Sequence, residues 1–373
     1  MSFIRELFGS RRPVRRQQEP EQAPTATGPS HALDTLPTLP ATRRPITPPT
    51  SSTAQLASPF FRLPPELRQQ IYRLVLSGRE IHIDLRYTAV ETTTPHSTHG
   101  ASFDVCRRWR WRASNCHRHP DAPPIADRCG WGGPPPTACI LFNGTSSSSC
   151  AVGPEVLALL RSCRLAYREA IEVLYADNTF HVCTGALLLY TPRLLPPAAR
   201  AVTSLIFQVT EESVWMYADE HLGIEKGLPA YEVLLRRLPV AFPSLVRLLV
   251  VVQGSLWRGR PGGGAELSPV YRDAVKDCLL SSMDGAVAGF RRPLVDCVLA
   301  MRESAFDRVM VEERAAAEKV ELREGMWVQF WRAVSVVRGD QALDTGYWVR
   351  GVAPEESELV LGASALALLG RGA

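Results

Sequence analysis

Phe61-Arg62-Leu63-Pro64-Pro65-Glu66-Leu67-Arg68-Gln69-Gln70-Ile71-Tyr72-Arg73-Leu74-Val75-Leu76 is followed by Ser77-Gly78. Pro64 and Pro65 suit the first turn of a helix, where a missing N–H leaves no intrahelical bond unmade. Glu66 in that turn complements the positive helix end. Leu67, Ile71, Leu74 and Val75 recur at i, i+4, i+7 and i+8, one apolar stripe. Ser77-Gly78 supplies the stop, with glycine free to take the left-handed cap conformation.

Upstream, residues 1–57 are rich in Pro, Thr, Ser, Gln and Arg and poor in large apolar residues. Such a segment buries too little surface to offset its ordering entropy and reads as a disordered tail. Its start, Met1 to Arg16, has three readings: a basic presequence, a nuclear import patch on Arg11, Arg12, Arg15 and Arg16, or a solvated tail. Glu6, Glu19 and Glu21 speak against the presequence. Thr47-Pro48 is a candidate proline-directed phosphosite.

Downstream, residues 58–353 read as a single domain and 354–373 as a C-terminal tail. Glu80 to Leu85 alternates polar and apolar, a half-buried strand with His82 on its solvent side. Residues 88–152 read as a long irregular insertion. A helical face resumes from Pro154 to Tyr175 through Val156, Leu160, Cys163, Tyr167, Ala170, Ile171 and Leu174. Apolar strands follow at Phe180 to Thr184, Val202 to Val209, Leu245 to Gln253 and Leu294 to Met301. Helices are expected at Ala186 to Tyr190, Ala230 to Leu238, Pro269 to Met283 and Glu303 to Lys319. Met326 to Val336 and Tyr347 to Val352 read as an antiparallel end. This rhythm predicts an α/β (or α+β) fold, with helices packed on a mostly parallel strand array. Three phrases that place a proline before an apolar strand suggest leucine-rich-repeat-like units, although their spacing exceeds that of true repeats.

The Leu63-Pro64-Pro65-Glu66-Leu67 start resembles the opening helix of an F-box. With Arg68, Ile71 and Tyr72, and with the later helix ending at Tyr175 before Asn178-Thr179-Phe180, the chain resembles a large, mostly uncharacterised family of filamentous fungi. That resemblance implies an F-box-like helix ahead of an α/β domain of unknown function. It implies a Skp-type adaptor of a cullin ubiquitin ligase as partner, held by Leu63, Pro64, Leu67, Ile71 and Leu74. In this chain the candidate companion helix is displaced beyond the insertion.

Composition sets outer bounds. The 373 residues are 45% hydrophobic and 21% charged, enough for a real core. The net charge of +4 lies largely in the tail and insertion, so nucleic-acid binding is not expected. Nine cysteines with no secretory leader ahead of them point to a reducing, intracellular setting, cytoplasmic or nuclear. No apolar run approaches the roughly 20 residues of a membrane-spanning helix.

The insertion holds the one metal-like constellation: Cys106, Cys116, His117, His119, Cys129 and Cys139. Zinc takes about four N or S ligands. The paired Cys-x2-Cys spacing is absent, so packed cysteines beside Trp109 and Trp111 are the alternative. Arg107 to Arg112 interleaves arginine with tryptophan, as a base-stacking surface would. Its alternation also describes a strand with Trp109 and Trp111 inward, which is favoured. No nucleophile elbow or phosphate loop is present, and the Gly259 to Gly264 segment lacks the lysine of a P-loop. The expectation is a non-enzymatic protein-interaction domain. The alternative is a zinc-stabilised or nucleic-acid-binding domain built on the insertion.

Overall fold

The computed structural model describes residues 36–39, 58–92, 104–115, 154–183, 185–209, 228–252, 269–323, 327–338 and 341–352. In chain order the elements are α1 (Pro59–Arg62), α2 (Pro65–Leu76), β1 (Glu80–Thr92), β2 (Asp104–Asn115), α3 (Pro154–Ser162), α4 (Arg164–Ala176) and β3 (Thr179–Val182). There follow α5 (Gly185–Leu194), a 3₁₀ turn (Pro197–Ala201), β4 (Ser204–Val209), α6 (Leu228–Ala241), β5 (Arg247–Val252), α7 (Pro269–Gly289) and β6 (Asp296–Arg302). The last are α8 (Glu303–Val309), α9 (Val311–Ala316), β7 (Val320–Arg323), β8 (Trp327–Arg338) and β9 (Gln341–Val352).

One nine-stranded sheet runs β2-β1-β3-β4-β5-β6-β9-β8-β7. The six strands from β1 to β9 in that order pair in parallel, and antiparallel strands close both ends. The fold is therefore α/β with a mostly parallel sheet. Strands β3, β4, β5 and β6 are neighbours in sequence order. When each crossover steps the same way and keeps the usual right hand, the connecting helices fall on one face.

The core has that arrangement. Phe180, Val182, Leu205, Phe207, Leu248, Val250, Leu299 and Met301 face one side, and they cluster with Leu187, Leu234, Leu238, Leu279, Met283 and Phe306 from α5, α6, α7 and α8. Helix and sheet approach closely at Gly351, where an added Cβ would sit 2.6 Å from Phe306 Cγ. The antiparallel end is tied to α7 by Arg332, which donates to Asp284 at 2.8–3.3 Å and to Glu313 at 3.1 Å. Tyr347 Oη also donates to Asp284, at 2.9 Å.

Several boundaries differ from expectation. The helix read as continuous from Pro154 to Tyr175 is two, broken at Cys163, whose extended backbone lets its thiol accept the Ala166 N–H at 3.4 Å. Glu303 to Lys319 likewise divides into α8 and α9 at Met310, and the helical part ends at Ala316, ahead of β7. Part of the stretch read as an irregular insertion is regular: β1 continues to Thr92 and pairs with β2 from Ile81↔Asn115 to Thr92↔Asp104. Within the stretch read as a tail, Leu36 is buried in the main core.

Candidate docking helix and its support

Helix α2 is held by its polar side. Arg68 donates through Nε (2.8 Å) and Nη2 (2.6 Å) to the two oxygens of Glu169 on α4. Tyr72 Oη adds a bond to Glu169 at 3.1 Å, and Gln69 Nε2 reaches the Glu169 carbonyl at 3.1 Å. A bidentate arginine–carboxylate pair is among the stronger side-chain contacts because both ends are charged and the geometry is planar. Beneath it, Tyr72 and Leu76 pack with Leu160, Ala170, Ile171 and Val173 in a second apolar cluster, and Phe60 meets Tyr72 edge-on. The buried stripe of α2 is thus Arg68, Tyr72 and Leu76, one residue round from the apolar stripe read in the sequence.

The guanidinium also shapes what precedes the helix. Arg68 Nη1 donates to the Leu63 carbonyl at 2.6 Å and lies over the Phe61 ring. That contact folds the Phe61 to Leu63 turn back onto α2 and sets where Leu63 and Pro64 stand. The electrostatics follow the geometry. Hydrogen bonds from Arg68 hold the Glu169 carboxyl below its ordinary range, against the opposing effect of burial. Burial first, and the Glu169 charge second, push the Tyr72 phenol well above its usual value.

The far end of α2 is closed by Asn178. Its Nδ2 donates to Leu76 O (2.7 Å) and Leu174 O (2.8 Å), and its Oδ1 accepts the Arg79 N–H (2.8 Å). One buried amide thereby serves the C-terminal carbonyls of both α2 and α4, groups that a helix leaves unsatisfied. Gly78, at φ 73, takes the left-handed conformation expected of it and donates to Asp177 O. These contacts account for the Asn178-Thr179-Phe180 phrase.

The five residues assigned to partner contact are not part of the buried stripe of α2. Leu67 is 43% exposed and Leu74 85%, Pro64 is exposed, and Ile71 and Leu63 are half-buried. Leu67, Ile71 and Leu74 share one helix face by their spacing.

Of the metal candidates, Cys106 lies on β2 opposite Val90. Cys116, His117, His119, Cys129 and Cys139 fall outside the described residues. Among the described residues no group of three or more His, Cys, Asp or Glu side chains is arranged to hold a metal. The Arg107 to Arg112 segment is a strand, as favoured. Trp109 packs against the core, but Trp111 is 41% exposed instead of inward. Strand β2 is the edge of the sheet, which leaves it a neighbour on one side only.

Sequence reasoning missed a buried polar layer on the sheet face opposite the clustered helices. His82, read as solvent-facing, is 4% exposed, because this second face is covered as well. Its ring lies 4.6 Å from His181. His181 Nε2 pairs with Gln208 Oε1 at 2.7 Å, and Cys183 Sγ donates to the same oxygen at 3.4 Å. With that amide oxygen as acceptor, Nε2 carries the proton. Asp84 belongs to this layer too. The strand's alternation was a correct signal; which side met solvent was not encoded in it.

An α/β body carrying a charge-clamped N-terminal helix is the class that this geometry defines. Residues 53–223 match the model of an uncharacterised family, described as a domain of unknown function (DUF7730). The match runs from ahead of α1 to beyond β4, and so includes α2, its clamp on α4 and the Asn178 cap. No curated protein and no solved structure matches the chain. No helix among the described residues is long and apolar enough to cross a membrane.

Proposed function

We propose that the chain is a protein-interaction module, not an enzyme, and that it docks a partner through the outward stripe of α2 in the manner of an F-box. The observation that carries this reading is the division of labour on α2. Arg68, Tyr72 and Leu76 satisfy the body, which leaves Leu67 and Leu74 exposed with the half-buried Ile71 between them. Apolar side chains on a firmly held helix fit an apolar groove in a partner by helix packing. The resemblance of Leu63-Pro64-Pro65-Glu66-Leu67 to an F-box start makes that partner a Skp-type ubiquitin-ligase adaptor, and the α/β body would then present a second protein to the ligase.

The test is co-purification of the full chain with the adaptor under native conditions, against Leu67→Ala and Leu74→Ala. Truncating exposed side chains changes fold stability by no more than about 0.5 kcal/mol. Recovery of the adaptor should fall at least ~tenfold with the double variant while its melting curve stays with wild type, since central interface contacts each carry about 1 kcal/mol or more. Wild-type chain that recovers no adaptor rules the reading out.

A further inference from the structure

We propose that residues 36–39 are an intramolecular linear motif: a Leu-Pro-Thr-Leu segment, turned at Pro37, that the body binds, as it would a peptide, at the C-terminal end of α5. Two contacts define the site. Leu36 is 7% exposed and belongs to the main core cluster, although the first helix among the described residues begins only at Pro59. The Leu39 N–H donates to the Arg193 carbonyl at 2.7 Å.

The second contact has a cause in the sequence. Arg193 lies in the last turn of α5, where carbonyls need a donor from three or four residues further on. Those residues are Pro196 and Pro197, which have no N–H. The Leu195 N–H is already given to Thr191 O. The Leu195-Pro196-Pro197 phrase therefore leaves the Arg193 carbonyl without a local partner, and Leu39 supplies one. The motif is itself a tight turn: Pro37 fixes its own φ, and the Thr38 N–H turns back to Leu36 O at 2.7 Å. An apolar socket beside an otherwise unserved carbonyl pairs the two elements of peptide recognition: the backbone bond gives affinity and the pocket gives selectivity.

The motif is tethered to the body through residues 40–57, so its effective concentration at the socket is high and the socket is filled in cis. Displaced, it would leave a site for another segment with the same leucine spacing. This inference is independent of adaptor docking by α2.

The full chain carrying Leu36→Asp, which cannot seat in an apolar socket, is titrated against a labelled peptide of residues 31–42. The variant should bind this peptide at least ~tenfold more tightly than wild type does, because wild type's own segment competes. The same peptide carrying Leu36→Asp should not bind. Equal binding by variant and wild type, or none by the variant, overturns the proposal. If the variant does not fold, hydrogen exchange on wild type decides. The Leu39 amide should exchange at least ~tenfold more slowly than an unstructured amide, independently of protein concentration. Exchange at the free rate, or protection that appears only at high concentration through swapping with a second copy, overturns the intramolecular assignment.

Discussion

Glu169 gathers the Arg68 guanidinium and the Tyr72 phenol onto one carboxylate, from elements that stand 101 and 97 residues away in the chain. Removing it strands a guanidinium whose side chain is only 11% exposed. Loss of one member of a buried pair costs about 3–5 kcal/mol, and the partial exposure here places Glu169→Ala at about 2–4 kcal/mol. The pH dependence has a definite sign. The Glu169 carboxyl sits below its ordinary 4.5, chiefly through the Arg68 hydrogen bonds. A carboxyl depressed in the folded state adds stability above its unfolded value, and that contribution disappears as pH falls through the folded value. Melting curves of wild type and Glu169→Ala should therefore lie furthest apart near neutrality and converge as pH falls through the depressed folded-state value of the carboxyl. A gap that does not change with pH would remove the charge from the explanation. The same pair shows why the buried side of α2 was not legible. Apolar periodicity assigns an arginine to solvent, and only a partner a hundred residues downstream makes Arg68 an inward residue. Of the sequence stripe Leu67, Ile71, Leu74 and Val75, Leu67 and Leu74 are exposed, Ile71 is half-buried and Val75 packs against the second cluster.

At the scale of elements, apolar strands and their helices were legible because each carries its period in a short window. Val202 to Val209 and Leu245 to Gln253 contain β4 and β5, and Leu294 to Met301 contains all of β6 but Arg302. Breaks were less so. Cys163 and Met310 interrupt helices without any glycine or proline to mark the place, and the burial of His82 depends on what covers the second face of the sheet. Asn178 shows an element-level device that sequence presents only as a phrase. Asn178→Ala would deprive the Leu76 and Leu174 carbonyls and the Arg79 N–H of their partner. Each unsatisfied buried group costs about 1–3 kcal/mol, so a total of about 2–4 kcal/mol is expected after partial rehydration. Asn178→Asp keeps the acceptor for Arg79 and loses both donors, placing oxygens against two carbonyls. Denaturant unfolding should find the aspartate no more stable than the alanine. An aspartate as stable as wild type would mean that the two helix ends do not depend on this amide.

Across the whole molecule, strand order and a single clustered helix layer put the cysteines at different depths of one cooperative core. Cys297, on β6 between β5 and β9, is 3% exposed, and burial raises its thiol far above the usual range. Cys278, half-buried on α7, is raised to about 11, again chiefly by burial. Cys163 stands at the break between α3 and α4, half-buried at the edge of the body. The thiolate is the reacting species, and access to it requires opening. Among Cys163, Cys278 and Cys297, alkylation mapped by mass spectrometry should modify Cys163 first. Cys278 should react slowly, with a rate that rises about tenfold per pH unit and does not level off below pH ~10, since its thiolate fraction is still climbing there. Cys297 should wait for global unfolding, so that its modification free energy matches the stability measured in denaturant. Residues in the most protected strands exchange only through the fully open state, and a β6 flanked on both sides by parallel neighbours has no edge from which to fray. If Cys297 is modified as fast as Cys163 in native buffer, the β5-β6-β9 centre opens locally, and the sheet does not act as one unit behind its helices.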